Sequence, residues 1–192
     1  MKRRVYLDHL SGGPLAPEVR AAMRPWLEEI HGNAASLHRH GLKAREALDT
    51  AAAQCAAMIN APADDLVFTS SGTEANNLAV KGVAEAQRER GTHLILSNIE
   101  HPSIDQSVAW LEQQGFTATR VPVDREGRLS VGAVTEAITE QTILIATHHA
   151  NHDLGAVQNL PALGALAGER GIPLLIDATA SGGWLPVDVT AH

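Results

Sequence analysis

The chain has 192 residues, of which 44% are hydrophobic and only 3% aromatic, so its core must be built from aliphatic side chains. Its 22 acidic residues outnumber its 15 basic ones, and the net charge of −7 argues against nucleic acid or a membrane surface as a partner. No apolar run has the length of a membrane span, and the single cysteine, Cys55, excludes internal disulfides and predicts a cytoplasmic location.

The first 60 residues are predicted to be helical. Pro17 begins a helix in PEVRAAMRPWLEEI, and GLKAREALDTAAAQCAAMI predicts a longer one. In the longer helix Leu48, Cys55 and Ile59 share one apolar face, so Cys55 is predicted to lie in the core and not to act as a nucleophile. We interpret residues 1–60 as a helical arm that packs on a larger domain.

Residues 61–192 alternate short apolar runs with helical patterns, which predicts an incomplete α/β domain. Five runs are predicted to be strands, at 66–70, 93–98, 116–123, 142–148 and 172–177. Helical patterns separate these runs in TEANNLAVKGVAEAQRERG, SIDQSVAWLEQQG, residues 130–139 and LPALGALAGERG. Strands that alternate with helices at this spacing predict βαβ units, and therefore a mostly parallel sheet in a three-layer α/β/α fold.

The helix that follows residue 71 has the clearest boundary signals. Ser71 and Glu74 have the spacing of a capping box, and Gly91 is predicted to end the helix. Its apolar face is predicted to contain Ala75, Leu78, Ala79, Gly82, Val83 and Ala86.

Polar segments follow four of the predicted strands. TSSGTEANN, NIEHPS, HHANHD and DATAS each come directly after an apolar run. The carboxyl ends of parallel strands meet at one edge of a sheet, where α/β proteins bind their ligands. We therefore expect Thr73, His101, His152 and Asp177 to lie near one another.

Structural roles explain some of these residues equally well. Thr73 is placed to cap a helix, and His101 before Pro102 to start one. Asp177 differs, because it follows Leu-Leu-Ile and no basic residue lies between Ile172 and His192. Burying an unpaired carboxylate is costly, so Asp177 either reaches solvent or meets a cation supplied by another molecule.

The segment around Gly72 predicts an anion site. A glycine at the start of a helix lets backbone N–H groups approach a phosphate, which the helix dipole also favours. A phosphate site at Gly72 and a carboxylate at Asp177 suit a ligand with a phosphate at one end and a protonated nitrogen at the other. Pyridoxal 5′-phosphate has both groups, and His101 is the candidate to cover its ring.

The sequence resembles the class V aminotransferases, and within them the cysteine desulfurases of iron–sulfur cluster assembly. The resemblance covers nearly the whole chain and is carried by FTSSGTEANNLA, EHPSI, THHANHDLGAVQNL and IPLLIDATASGGWLPVDV. It implies the large domain of the aspartate aminotransferase fold, called type I among pyridoxal-phosphate-dependent transferases. It also implies a homodimer and L-cysteine as the substrate.

The resemblance also implies roles for individual residues. Thr73 and the backbone of Gly72 would contact the cofactor phosphate. His101 would stack on the cofactor ring and serve as the catalytic group in proton transfer. Asp177 would keep the pyridinium nitrogen protonated.

Two positions depart from the pattern of the family. His152 stands where the family has Asn, and Ala180 stands where it has Gln; both family residues hold the 3-oxygen of the cofactor. The imidazole of His152 can replace the first contact, whereas the methyl group of Ala180 cannot replace the second. The cofactor-linked lysine and the sulfur-accepting cysteine of the family would both fall beyond His192, so we expect no complete reaction cycle from this chain alone.

Three functional hypotheses remain at this stage. The chain is part of a cysteine desulfurase, completed by a second polypeptide or a continuation, or part of a related lyase or aminotransferase. Alternatively, it is a catalytically inactive interaction module. Both the enzymatic hypotheses and the interaction-module hypothesis predict an exposed apolar patch that associates with a partner.

A metal site is the least favoured hypothesis. His149 and His152 are three residues apart, and His38 and His40 are two apart, which permits short-range ligation. However, the first pair lies in a segment where the family contacts its cofactor. We therefore predict no metal ligands, and elemental analysis would test this.

Overall fold

A computed structural model describes residues 4–190 of the chain. By its internal contacts the chain divides into two compact units, Met1–Leu66 and Val67–His192. The first unit contains helix α1 (Pro17–Glu28) and helix α2 (Arg39–Ile59), followed by a 3₁₀ turn at Ala63–Asp65. Pro17 occupies the first turn of α1, where a backbone N–H would have no acceptor within the helix, so proline costs no hydrogen bond there. This predicted helix start is confirmed.

The prediction that Cys55 lies in the core is wrong, because its side chain is exposed. Leu48, on the same predicted face, is also 48% exposed. The buried positions of α2 are instead Gly41 and Ala56. A Cβ on Gly41 would lie 2.1 Å from the carbonyl oxygen of Ser36, so this side of the helix lies close to backbone and requires small residues.

The second unit is built around a four-stranded parallel sheet with the strand order β2-β1-β3-β4. The strands are β1 (His93–Ser97), β2 (Thr117–Val121), β3 (Thr142–His148) and β4 (Leu174–Asp177). The helices of this unit are α3 (Gly72–Ala86), α4 (Pro102–Glu112), α5 (Val131–Ala137) and α6 (Leu160–Arg170). Four of the five predicted strands, the alternation of strands with helices and the parallel sheet are confirmed.

Two apolar clusters cover the two faces of this sheet, which confirms the three-layer α/β/α fold. On one face, side chains of α3 and α4 pack on Leu94 and Leu96 of β1 and on Leu144 of β3. On the other face, side chains of α5 and α6 pack on Ile95 and Ile145. Neighbouring strand residues point to opposite faces, so each central strand contributes to both clusters. None of the helices within residues 4–190 has the length and apolarity that a membrane crossing requires.

The fifth predicted strand, at 66–70, is not a strand. The segment has no regular secondary structure, and within residues 4–190 it pairs with no strand. Val67 is 71% exposed and Phe68 is 56% exposed. An apolar run becomes a strand only when a neighbour takes up its backbone hydrogen bonds, and the sequence of the run alone does not reveal that neighbour.

The predicted end and apolar face of α3 also need correction. The helix ends at Ala86, with Gln87 as its C-cap, and not at Gly91. Gly91 is buried where a Cβ would lie 2.3 Å from the carbonyl oxygen of Gln141, so close approach and not capping requires glycine there. The face against the core is Asn76, Val80 and Ala84, whereas the predicted members Leu78, Gly82 and Ala86 are exposed.

His93 at the start of β1 makes stability dependent on pH. Its ring lies between the hydroxyls of Thr142 (2.8 Å from Nδ1) and Thr119 (2.9 Å from Nε2), and burial lowers its pKa below the ordinary 6.5. The unfolded chain therefore binds a proton here more readily than the folded chain. We expect the contribution of His93 to the free energy of unfolding to be constant above pH 6.5. This contribution should fall as the pH drops from 6.5 toward the lower pKa of His93 in the folded chain.

Urea unfolding of the His93→Gln variant at about pH 5 to 8 tests this expectation. Glutamine retains polar atoms for the two threonine hydroxyls but does not titrate, so the variant should lose less stability on acidification than the wild type. His9→Gln, which makes the same replacement at an exposed histidine, is the matched control. Equal slopes for the wild type and His93→Gln would contradict the assignment.

Candidate cofactor site

The strand order predicts a ligand-binding crevice at the carboxyl ends of β1 and β3. The chain leaves β1 for β2 on one side, whereas β3 lies on the other side of β1. Loops diverge at such a point and leave a cleft above the sheet. His101 follows β1, His152 follows β3, and Asp177 is the last residue of β4.

Asp177 is a half-buried carboxylate held by two donors. The backbone N–H of Thr179 donates to Oδ1 (2.9 Å), and Nδ2 of Asn76 donates to Oδ2 (2.8 Å). Burial, the largest single influence, raises the pKa of Asp177, but the hydrogen bonds from Thr179 and Asn76 and the nearby His101 together lower it below its ordinary 3.8. Asp177 is therefore ionised at neutral pH, and within residues 4–190 no lysine or arginine pairs with it.

A continuous hydrogen-bonded path connects Asp177 with His101. Besides Asp177, Nδ2 of Asn76 reaches Oγ of Ser103 at 2.9 Å, and this hydroxyl lies 2.8 Å from Nδ1 of His101. His101 is the N-cap of α4, where its Nδ1 accepts the backbone N–H of Ser103 at 3.1 Å. The His101 ring also contacts the His152 ring in a T-shaped arrangement, with the ring centroids 5.2 Å apart.

Gly72 and Thr73 form the first turn of α3, next to the turn that follows β4. A Cβ on Gly72 would lie 2.9 Å from Oγ1 of Thr179, so glycine permits the close approach of these two segments. Ser71 caps the helix by accepting the N–H of Glu74, as predicted. The Glu74 carboxylate, however, accepts from Ser70 and not from Ser71, so only one half of the predicted capping box forms.

Thr73 and His101 line the same cavity, which has a volume of about 590 Å³. Lys81 and Trp110 also line it, and Nζ of Lys81 donates a hydrogen bond to Oδ1 of Asn77 (2.7 Å). The cavity therefore opens beside the helix N-termini that carry Thr73 and His101.

A second polar network supports the loop that carries His101. Nδ1 of His148 lies 2.9 Å from Oε1 of Glu100, which also accepts the Ser97 hydroxyl. Nε2 of His148 lies 2.8 Å from Nε2 of Gln158, whose amide also bonds the backbone of Gly127 and Leu129. Oε2 of Glu100 is buried without a hydrogen-bond partner among the described residues. The sequence did not reveal this network, since its members are far apart along the chain.

The four histidines considered as metal ligands have other contacts. His149 hydrogen-bonds the Ser181 hydroxyl (3.0 Å), whereas His152 packs on His101. His38 caps α2 through Nδ1, and its ring lies edge-on to that of His40. Within residues 4–190, no group of three or more His, Cys, Asp or Glu residues is arranged to hold a metal ion.

The structure thus brings the predicted residues Gly72, Thr73, His101, His152 and Asp177 to one edge of the sheet. Sequence reasoning missed the residues that connect them, which are Asn76, Ser103 and Thr179. A signal existed for Asn76, because it shares the 3.6-residue spacing of Val80 and Ala84. A polar residue on a buried helical stripe needs a hydrogen-bond partner.

Comparisons with known proteins agree with this fold. Residues 5–192 match the family model for class-V aminotransferases. Cysteine desulfurase IscS of Dictyoglomus turgidum is 41% identical over 98% of this chain and 48% of its own length. The IscS of Neisseria meningitidis is 41% identical over all of this chain and 48% of its own length.

A solved structure of SspA in complex with cysteine has 36% identity and a TM-score of 0.93, covering 97% of this chain and 54% of that one. The chain therefore spans about half the length of the relatives that it matches. The family match nevertheless extends over nearly every residue of the chain. The chain belongs to the class-V aminotransferase family.

Proposed function

We propose that this chain forms the cofactor-binding part of a cysteine desulfurase that depends on pyridoxal 5′-phosphate. The complete reaction would convert L-cysteine to L-alanine and leave the sulfur on an enzyme cysteine as a persulfide. The hydrogen-bonded path from Asp177 to His101, beside the glycine-started helix α3, is the observation that carries the proposal. Two findings support it. Members of the matched family depend on this cofactor, and relatives of the chain are named cysteine desulfurase.

The residues present fit the nitrogen end of the cofactor. A pyridinium N–H needs an ionised acceptor, and the lowered pKa of Asp177 supplies one at neutral pH. Each carboxylate oxygen can accept more than one hydrogen bond, so Thr179 and Asn76 leave acceptor capacity at Asp177. Fixing the carboxylate from both sides also orients it before a ligand arrives.

The phosphate end also has a suitable partner. The first turn of α3 contains backbone N–H groups that have no acceptor within the helix, and its N-terminus favours negative charge. Gly72 leaves this turn without a Cβ, and Thr73 adds a hydroxyl on the side of the cavity. We assign Gly72 and Thr73 to the phosphate group.

The contact with the 3-oxygen of the cofactor is reduced in this chain. Ala180 presents only a methyl group, so one expected hydrogen-bond donor is absent. His152 is half-buried next to His101, and its imidazole is the remaining candidate donor. We therefore assign His152 to the 3-oxygen and expect a weaker hold on this group than two donors would give.

Pyridoxal 5′-phosphate supplies, when bound, an electron sink that stabilises negative charge on the α-carbon of an amino acid. The chain's own residues would bind the cofactor and orient it. Asp177 would hold a proton on the ring nitrogen, and the first turn of α3 would hold the phosphate. His101 would cover one face of the site and exchange a proton at Nε2. Bound L-cysteine would occupy the side of the site covered by His101.

We also propose that this chain works with a partner in the cytoplasm. Trp184 is 84% exposed and Val67 71% exposed, and large exposed apolar side chains favour association. The proposed partner is a second copy of the chain in a homodimer. Neither nucleic acid nor a membrane fits the negative charge of the chain.

Binding of pyridoxal 5′-phosphate to the purified chain tests the proposal. Equilibrium dialysis would measure cofactor binding, and L-cysteine would then be added with a thiol reductant to detect sulfide and alanine. Cofactor binding together with cysteine-dependent release of sulfide and alanine supports the proposal.

Other outcomes separate the alternatives. Cofactor binding with turnover of a different amino acid would indicate a related lyase or aminotransferase. Absence of cofactor binding under every condition would overturn the proposal and leave the interaction module as the explanation.

A further inference from the structure

We propose that Asn76 and Ser103 are positioning residues that hold the neutral His101 ring in the tautomer with its proton on Nε2. The inference follows from the direction of each hydrogen bond between Asp177 and His101. It rests on the proposed function only for the role of His101, since the tautomer is a property of the cofactor-free chain.

Asp177 sets the orientation of the Asn76 amide. An ionised carboxylate only accepts hydrogen bonds, so the Asn76 atom that faces Oδ2 at 2.8 Å must be the NH₂ group. This group has two protons. One points to Asp177 and leaves the second for Oγ of Ser103, 2.9 Å away.

Asn76 in turn biases the direction of the Ser103 hydroxyl. Oγ of Ser103 accepts from Asn76 with one of its two lone pairs, which favours donation of its own proton to Nδ1 of His101 at 2.8 Å. The backbone N–H of Ser103 points at the same nitrogen from 3.1 Å and cannot reverse its direction. Nδ1 therefore faces two donors and carries a lone pair, so the proton of the neutral ring is on Nε2.

The tautomer decides what His101 can offer a ligand. Nδ1 is occupied, and Nε2 forms no hydrogen bond within the described part of the chain. His101 is one of the residues that line the cavity together with Thr73 and Lys81. The ring nitrogen of neutral His101 that remains available to a ligand is therefore an N–H group and not a lone pair. Asp177, two residues removed along the path, biases this choice without touching His101.

NMR of the ¹⁵N-labelled, cofactor-free chain tests the proposal. Two-bond ¹H–¹⁵N correlation spectra, recorded where His101 is neutral, distinguish a protonated ring nitrogen from a lone-pair nitrogen. We expect the wild type to show a protonated Nε2 and a lone pair on Nδ1. In Ser103→Ala one of the two donors is lost, and the ratio of the two tautomers should shift about fivefold toward Nδ1–H.

Three further variants make the test specific. Threonine in Ser103→Thr keeps the hydroxyl that Ser103→Ala removes and should keep the wild-type ratio. Asn76→Ala removes the donor to the Ser103 hydroxyl and should shift the ratio in the same direction as Ser103→Ala, but by less. Ser107→Ala removes a hydroxyl that bonds the Ser103 carbonyl and should leave the tautomers unchanged. A predominant Nδ1–H form in the wild type, or equal ratios in all variants, would overturn the proposal.

Failure of the tautomer proposal would be distinct from failure of the proposed function. The NMR measurement uses no cofactor, whereas the proposed function is tested by cofactor binding. If the wild type has a lone pair on Nδ1 but does not bind pyridoxal 5′-phosphate, the tautomer proposal stands and the proposed function is wrong.

Discussion

The Asp177→Asn variant is expected to bind pyridoxal 5′-phosphate about 10- to 100-fold more weakly than the wild type. A hydrogen bond to an ionised group contributes about 1.5–3 kcal/mol, which is one to two orders of magnitude in the dissociation constant. Asparagine keeps the size of the side chain but removes the charge that would face the ring nitrogen. Equilibrium dialysis of cofactor and protein at neutral pH would measure the change.

The pH dependence gives this prediction a second check. Because the pKa of Asp177 lies below 3.8, the carboxylate remains ionised throughout the neutral and mildly acidic range. Its contribution to binding is lost only as the pH falls through that lowered pKa, so it should be constant near neutrality. Asp64→Asn, which neutralises an exposed carboxylate outside the site, should not change affinity. Equal affinities of the wild type and Asp177→Asn would contradict the assignment.

The His148→Leu variant is expected to lose about 3 kcal/mol of unfolding free energy, because it removes one partner of a buried polar pair. His148 and Glu100 are almost fully buried, 4% and 0% exposed at their side chains. Glu100 would keep only the Ser97 hydroxyl, and its Oε2 already lacks a partner among the described residues. Urea unfolding followed by circular dichroism would measure the loss.

Two comparisons identify the cause of this loss. The Glu100→Leu/His148→Leu double variant should be less destabilised than the sum of its single variants, because removing both polar groups leaves fewer of them unsatisfied. Arg45→Leu breaks an exposed ion pair with Asp49 and should cost less than about 1 kcal/mol. Strictly additive losses at Glu100 and His148 would show that the pair does not act as a unit.

The sequence was sufficient for the order of elements in the second unit. The apolar runs that became β1 and β3 are fully buried, and uninterrupted runs of this kind are typical of strands covered on both faces. Helix boundaries were predictable from the sequence where a local residue sets them. An example is Gly171, which caps α6 in the left-handed region with φ 59°. These features depend on residues that are close together in the chain, so they can be predicted from the sequence.

Predictions failed where the partner of a residue is distant along the chain. Cys55 and Leu48 have an apolar pattern but are exposed, because glycine and alanine form the closely packed side of α2. The run at 66–70 has strand-like residues but no strand beside it within the described range. Periodicity identifies a face or a strand and does not say what covers it.

For this protein, local sequence determined the four strands of the sheet and the helices between them, but not that the run at 66–70 is unpaired. It also placed Thr73, His101, His152 and Asp177 at strand ends or helix starts, since these features are set by neighbouring residues. Tertiary structure alone decided that Asn76, 101 residues from Asp177 and 27 from Ser103, would join Asp177 to His101. The physical reason is that a hydrogen bond acts only over about 3 Å, so its partners are defined when the sheet and its helices have packed.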